Sequence, residues 1–136
     1  MQVLQAQIKN TREIVLLNKG SSTVVTKGEI LMLATGVAVP ATSATVAADL
    51  AGLCNQTIAA ADALTQVETI VISDEDTFLI NTANNTNAAH NGQQMVLTDS
   101  VTANNTGTTS ATGIVVQVAP FGATGDKKIL CRFVTL

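Results

Sequence analysis

Short apolar runs separated by polar turns recur along the chain, and none keeps the 3.6-residue period of a helix. Gly, Pro, Asn, Asp and Ser mark turns between the runs. Two connectors, Ala41–Leu50 and Ala59–Leu64, are Ala-rich and favour loops with a turn of helix. The pattern predicts short strands at Glu13–Leu17, Thr23–Thr26, Glu29–Leu33, Gly36–Pro40, Ala51–Ile58, Val67–Ile72, Thr77–Thr82, Gln93–Thr98, Gly113–Ala119 and Ile129–Val134.

This spacing of strands and turns predicts an all-β fold, a single small antiparallel β-barrel or a β-sandwich with long Asn/Thr-rich loops. The N-terminal Met1–Ile8 alternates only weakly and predicts an extended arm, although Leu4 and Ile8 also have the spacing of a short helix. Residues 1–18 are therefore assigned to an arm and first strand, and residues 19–136 to one β-barrel domain.

The pentapeptide Thr-Ala-Asn-Asn-Thr occurs twice, at Thr82–Thr86 and Thr102–Thr106. Asn and Thr side chains hydrogen-bond nearby backbone and tolerate tight turns, so both copies are predicted to be surface loops facing solvent or a neighbouring subunit. Five matching letters are weak evidence of duplication in a chain so rich in these residues. The surface-loop candidates are Asn84, Asn85, Asn104 and Asn105.

Composition gives little support to nucleic-acid or membrane binding. Charged residues make up 12% of the 136 residues, the net charge is −3, and the seven basic residues are scattered. Nucleic acid requires clustered Lys and Arg to displace phosphate counterions. No apolar run approaches the roughly 20 residues of a membrane span, and the N-terminus lacks the pattern of a signal peptide. Synthesis in a cytoplasm is expected, and a weakly charged surface favours assembly with other protein.

No constellation of residues indicates catalysis, a cofactor or a metal. The sole histidine, His90, lies in a polar stretch without a partner nucleophile in sight. Asp74, Glu75 and Asp76 are consecutive, which predicts a solvated acidic turn and not a calcium loop. Cys54 and Cys131 lie in apolar segments and are predicted to be buried free thiols, a disulfide being the less favoured alternative. Carbohydrate binding is disfavoured because the chain has no Trp or Tyr. The chain is expected not to be an enzyme and to take no small-molecule substrate.

Six segments follow one another in a recognisable order: Lys27–Leu31, Gly36–Pro40, Ala48–Cys54, Asp76–Thr82, Asn91–Asp99 and Gly113–Val118. From about Lys19 to the C-terminus, this order resembles that of the small β-barrel capsid decoration (cement) proteins of tailed bacteriophages.

The resemblance implies a homotrimer on the outer surface of the virion head, assembled in the host cytoplasm. There it would bridge neighbouring major capsid protein subunits and stabilise the shell. In such families an extended arm often pairs with a capsid-protein strand, which makes Val3, Leu4, Ala6 and Ile8 the candidate capsid contacts. The alternative is that these residues form an ordinary edge strand of the domain. A second hypothesis for the function is a tail or fibre-base module that displays polar loops to a receptor or glycan.

Overall fold

The computed structural model describes residues 4–7, 13–72, 76–86, 94–105, 115–120 and 127–133. Its regular structure is almost entirely β, which confirms the predicted fold class, and the helical elements are single 3-10 turns at Ala47–Asp49 and Ala60–Asp62. The strands are β1 Leu4–Gln7, β2 Ile14–Asn18, β3 Ile30–Ala34, β4 Val37–Pro40, β5 Leu50–Cys54, β6 Gln66–Ile70, β7 Thr77–Thr82, β8 Gln94–Asp99, β9 Thr102–Asn104, β10 Val115–Pro120 and β11 Lys128–Phe133.

The strands form two sheets, not one closed barrel. The larger sheet has six strands in the order β1-β7-β11-β10-β8-β9, and the smaller has five in the order β2-β6-β5-β3-β4. Nearly all neighbours are antiparallel; the exception is a parallel pairing of β7 with β9, which brings the last strand of the larger sheet back to its second. The smaller sheet uses only β2 to β6, which are consecutive in the chain.

The two sheets share one apolar core. The smaller sheet contributes Ile30, Leu53 and Ile70, while the larger contributes Phe78, Ile80, Met95, Leu97, Ala103, Ile129 and Cys131. Ile, Leu and Met fill most of this space, as expected for a chain with three Phe and no Trp or Tyr. Burial alternates along β7: Phe78, Ile80 and Thr82 are buried, and the residues between them are half-buried. Successive side chains of a strand point to opposite faces, so one face of β7 lies against the core.

A second core lies on the opposite face of the smaller sheet. It contains Val25, Leu31, Ala38, Cys54, Ile58 and Val67. The sheet curls around this cluster, so that its two edge strands β2 and β4 approach each other without pairing. The predicted strand Thr23–Thr26 is wrong as a strand, because this segment makes only an isolated bridge between Val25 and Ile58. That bridge closes one side of the second core.

The two cysteines are free and buried, as predicted. Cys54 belongs to the second core and Cys131 to the core between the sheets. Burial raises the pKa of the Cys131 thiol well above its ordinary value, because a thiolate would lie among apolar side chains. Burial also raises the pKa of Cys54, although the backbone carbonyl of Gln56 accepts a hydrogen bond from its Sγ. Both thiols are therefore held in the neutral form.

Two glycines meet specific backbone demands. Thr35 and Gly36 both have positive φ, 51° and 82°, at the centre of the two-residue turn that joins β3 to β4. This is the geometry of a primed hairpin turn, whose twist matches that of the strands. Gly52, at φ 144°, lies where β5 approaches β6 so closely that a Cβ would press into the carbonyl oxygen of Ile70. Only glycine permits this approach between neighbouring strands.

The structure also tests the predictions for the N-terminal arm and for the acidic turn. The arm forms strand β1, so the alternative of a short helix is wrong for Leu4–Gln7. Asp76 is buried, so the predicted solvated acidic turn is wrong at that residue, which lies directly before the buried strand β7. Asp74, Glu75 and His90 lie outside the described residues.

Candidate interaction surface

The predicted capsid contacts fall on or beside strand β1. Leu4 and Ala6 lie on β1, whereas Val3 and Ile8 lie outside the described residues. β1 pairs antiparallel with β7, with Leu4 opposite Leu79. Among the described strands β7 is its only partner, so β1 forms one edge of the larger sheet with its second side unpaired. Strand β1 is thus attached to the domain on one side and, within the described part of the chain, has an open edge on the other.

The two Thr-Ala-Asn-Asn-Thr segments lie side by side. Thr82 and Ala103 are register partners in the parallel pairing of β7 with β9, and the Ala83 N–H donates to the Ala103 carbonyl at 3.0 Å. The second copy begins with strand β9, Thr102–Asn104, where the sequence predicted a loop. The pairing explains this difference, since a neighbouring strand supplies hydrogen bonds that local turn propensity does not anticipate.

Asn105 joins the two segments through its carboxamide. Its Oδ1 accepts from the Asn84 N–H at 2.9 Å, and its Nδ2 donates to the carbonyls of Asn84 at 2.9 Å and Asn85 at 3.3 Å. Asn105 is only 7% exposed, so the surface-loop prediction is wrong for this residue, whose polar atoms are satisfied internally. Asn104 is half-buried in β9, while Asn84 and Asn85 are exposed as predicted.

A cluster of exposed apolar side chains lies elsewhere, on strand β2 of the smaller sheet. Ile14 is 48% and Leu16 60% exposed, while Val15 and Leu17, on the other face of the strand, are half-buried. Leu64, which is 44% exposed, lies across from them. Together with Gln56, Thr65, Gln66 and Glu68 these three residues line an open depression of about 560 Å³, here called the apolar groove.

The register of the smaller sheet explains why the groove is apolar. Opposed residues of an antiparallel pair project to the same face, and Ile14 lies opposite Ile70, a residue of the core between the sheets. Ile14 and Leu16 therefore continue the apolar face that the larger sheet covers farther along. Because β2 is the edge strand, its side chains lie beyond that cover and stay exposed.

The wall of the groove that carries Leu64 is built by the connector before β6. A 3-10 turn at Ala60–Asp62 is closed by the Asp62 carboxylate, which accepts from the Ala59 N–H at 2.8 Å. Ala63 then adopts a left-handed conformation, φ 53°, which ends the turn. The carbonyl of Thr65 accepts from the Lys19 N–H at 2.8 Å and ties this connector to the end of β2.

The polar side of the groove is formed by Gln56 and Glu68. The Gln56 Oε1 accepts from the Glu68 N–H at 3.2 Å, and the Glu68 carbonyl accepts from the Asn55 N–H at 2.9 Å. Glu68 lies opposite Leu16 in the register, so its side chain belongs to the same face as the apolar residues. Of the described residues that line the groove, Glu68 alone carries a charge.

The apolar groove has the character of a protein–protein contact surface. Within the described ranges, no group of three or more His, Cys, Asp or Glu residues could hold a metal ion. An exposed apolar patch with a polar rim is typical of a surface that another polypeptide covers. The sequence alone does not reveal the groove, because the run Ile14–Leu17 is apolar on both faces and does not show which face stays uncovered.

No family model and no curated protein matches this chain. The resemblance to capsid decoration proteins therefore stays a prediction from the sequence pattern. In the part of the chain that the structure describes, no helix has the length and apolar character needed to cross a membrane.

Proposed function

We propose that this protein is a structural virion component that binds the outer surface of a tailed-phage head. It would stabilise the shell by bridging neighbouring major capsid protein subunits, and it would act as a homotrimer without catalytic activity. The observation that carries the proposal is that β1, the strand with the candidate capsid contacts Leu4 and Ala6, pairs on one side only among the described strands. The all-β fold agrees with the resemblance.

An open strand edge suits this task physically. Strand addition joins two proteins through main-chain hydrogen bonds and needs no specialised side chains. Natural β proteins usually cover or blunt exposed edges, since an uncovered edge promotes aggregation. A role for β1 in accepting a strand of the shell protein would give this edge a cover. Repetition around a trimer would then multiply a weak contact through effective concentration.

The alternative of a receptor-binding module depends on the polar loops being displayed. Asn84 and Asn85 are exposed, but Asn105 is consumed in holding the two Asn/Thr segments together. The segments therefore have an internal structural role, which removes part of the argument for a displayed binding motif. We favour the capsid role for this reason.

The test uses expanded heads of the phage that encodes the chain, prepared without this protein. Full-length protein should bind these heads and raise the temperature at which they rupture. A variant that lacks residues 1–8 should lose head binding while its own melting temperature falls much less. Asn85→Ala serves as a matched surface control and should bind normally. Absence of binding by the full-length protein would refute the proposal, and an equal loss of binding and stability in the truncated variant would make β1 purely an internal strand.

A further inference from the structure

A second exposed surface, formed by residues 24–27, carries a positive charge, which the apolar groove lacks. In segment 24–27, Val25 is fully buried against Ile58, and the alternation of the chain turns Val24 outward, where it is 53% exposed. Lys27 follows at the tip of a turn and is also exposed. The segment thus presents one exposed aliphatic side chain and, three residues later, one exposed cation, whereas the groove presents aliphatic side chains and one carboxylate.

Segment 24–27 is held firmly in place. The turn is closed by the Glu29 N–H, which donates to the Thr26 carbonyl at 3.1 Å, and by the Glu29 carboxylate, which accepts from the Thr26 N–H at 2.7 Å. The Lys27 N–H donates to Thr57 Oγ1 at 3.0 Å. A segment whose backbone is already ordered loses little conformational entropy when it binds another protein surface.

We propose that the apolar groove binds segment 24–27 of a second copy of this chain. Val24 would pack among Ile14, Leu16 and Leu64, and the Lys27 ammonium would face the Glu68 carboxylate. The inference deepens the proposed function, in which several copies act together, by assigning the two surfaces through which copies meet.

Charge favours this occupant over a second groove. Two grooves packed against each other would bring two Glu68 carboxylates into one apolar contact, and like charges at an interface oppose association. A contact between the apolar groove of one copy and segment 24–27 of another pairs opposite charges and covers exposed apolar area on both copies. Because two different surfaces meet, the contact is directional and can be repeated around a symmetry axis until the assembly closes.

Charge reversal with rescue tests the pairing in the full-length protein. Association is measured by sedimentation equilibrium over a concentration series, with circular dichroism to verify folding. Glu68→Lys and Lys27→Glu should each weaken association about tenfold or more, and the double variant should restore most of it. Lys127→Glu makes the same change of charge at another exposed lysine and should leave association unchanged.

Leu16→Ser tests the apolar half of the contact. Leu16 is already largely exposed, so the variant should fold normally and associate more weakly. The proposal is overturned if the wild-type chain stays monomeric across the concentration series, or if the two charge reversals fail to rescue each other. Head binding by the β1 edge is measured separately, so that loss of self-association and loss of shell binding are distinguished.

Discussion

Replacing Asn105 with alanine should destabilise the protein by about 2 kcal/mol. The substitution removes three hydrogen bonds that join the two Asn/Thr segments. Each such bond contributes roughly 0.5–1.5 kcal/mol net. The expected loss of stability is smaller than the sum of the three contributions, because Asn84 and Asn85 are exposed and water can replace part of the lost hydrogen bonding. For a chain of this length the melting temperature should fall by about 6–8 °C.

An aspartate at the same position separates hydrogen bonding from packing. Asn105→Asp retains the acceptor for the Asn84 N–H but has no amide group to donate to the two carbonyls. At neutral pH its carboxylate would lie beside those carbonyl oxygens, so the variant should be at least as unstable as Asn105→Ala. The carbonyls favour the protonated carboxyl and raise its pKa in the folded state, so the deficit should shrink as pH falls.

Urea denaturation followed by circular dichroism measures both variants, with Asn85→Ala as the control in the same segment. Asn85 is exposed, and its substitution should change the free energy of unfolding by less than about 0.5 kcal/mol. An Asn105→Ala variant as stable as Asn85→Ala would contradict the stabilising role of the three hydrogen bonds. So would an Asn105→Asp variant whose loss of unfolding free energy is the same at neutral and at acid pH.

Two glycine substitutions test the backbone geometry of the smaller sheet, and a pH series tests the buried thiols. Gly52→Ala should cost about 3 kcal/mol or more in urea denaturation, because its Cβ would press into the Ile70 carbonyl at an unfavourable φ. Gly36→Ala, also at positive φ but with open space around it, should cost only about 1–2 kcal/mol, and equal costs would contradict the steric argument. Stability should also fall as pH rises above the ordinary thiol pKa of 9.0, since the unfolded thiols ionise while the buried ones stay protonated. The contribution of Cys131, whose pKa burial raises well above its ordinary value, should approach about 1.4 kcal/mol per pH unit. Cys131→Ala should lower the slope, and an unchanged slope would show that this thiol is not the source.

The sequence predicts individual strands well where one side is buried and the alternation is complete. β7 is found at its predicted bounds, Thr77–Thr82, because every second residue enters the core. Alternation does not show which strands pair with each other. The composition of the second Asn/Thr segment predicts a turn, and nothing in it indicates that β9 pairs in parallel with the end of β7.

The candidate surfaces were predictable only in part. The sequence predicts an extended arm, but the partner strand β7 lies about 70 residues or more away and leaves no local signal. The groove was missed because exposure of Ile14 and Leu16 depends on where the larger sheet ends. The sequence predicts a strand at Thr23–Thr26, whereas this segment makes only an isolated bridge, with Val25 buried and Val24 exposed. Tertiary contacts decide these outcomes, and a single sequence does not contain them in local form.

The order of strands in the two sheets has a consequence for synthesis on the ribosome. Strands β2 to β6 complete the smaller sheet from residues 14–70, so it can form while the rest of the chain is still being made. The larger sheet is incomplete until β11, at Lys128–Phe133, emerges to pair with β7. Pairings over such long separations form slowly. During that interval the apolar face that carries Ile30, Leu53 and Ile70 is not covered by the larger sheet. A chaperone would bind the nascent chain at this exposed face.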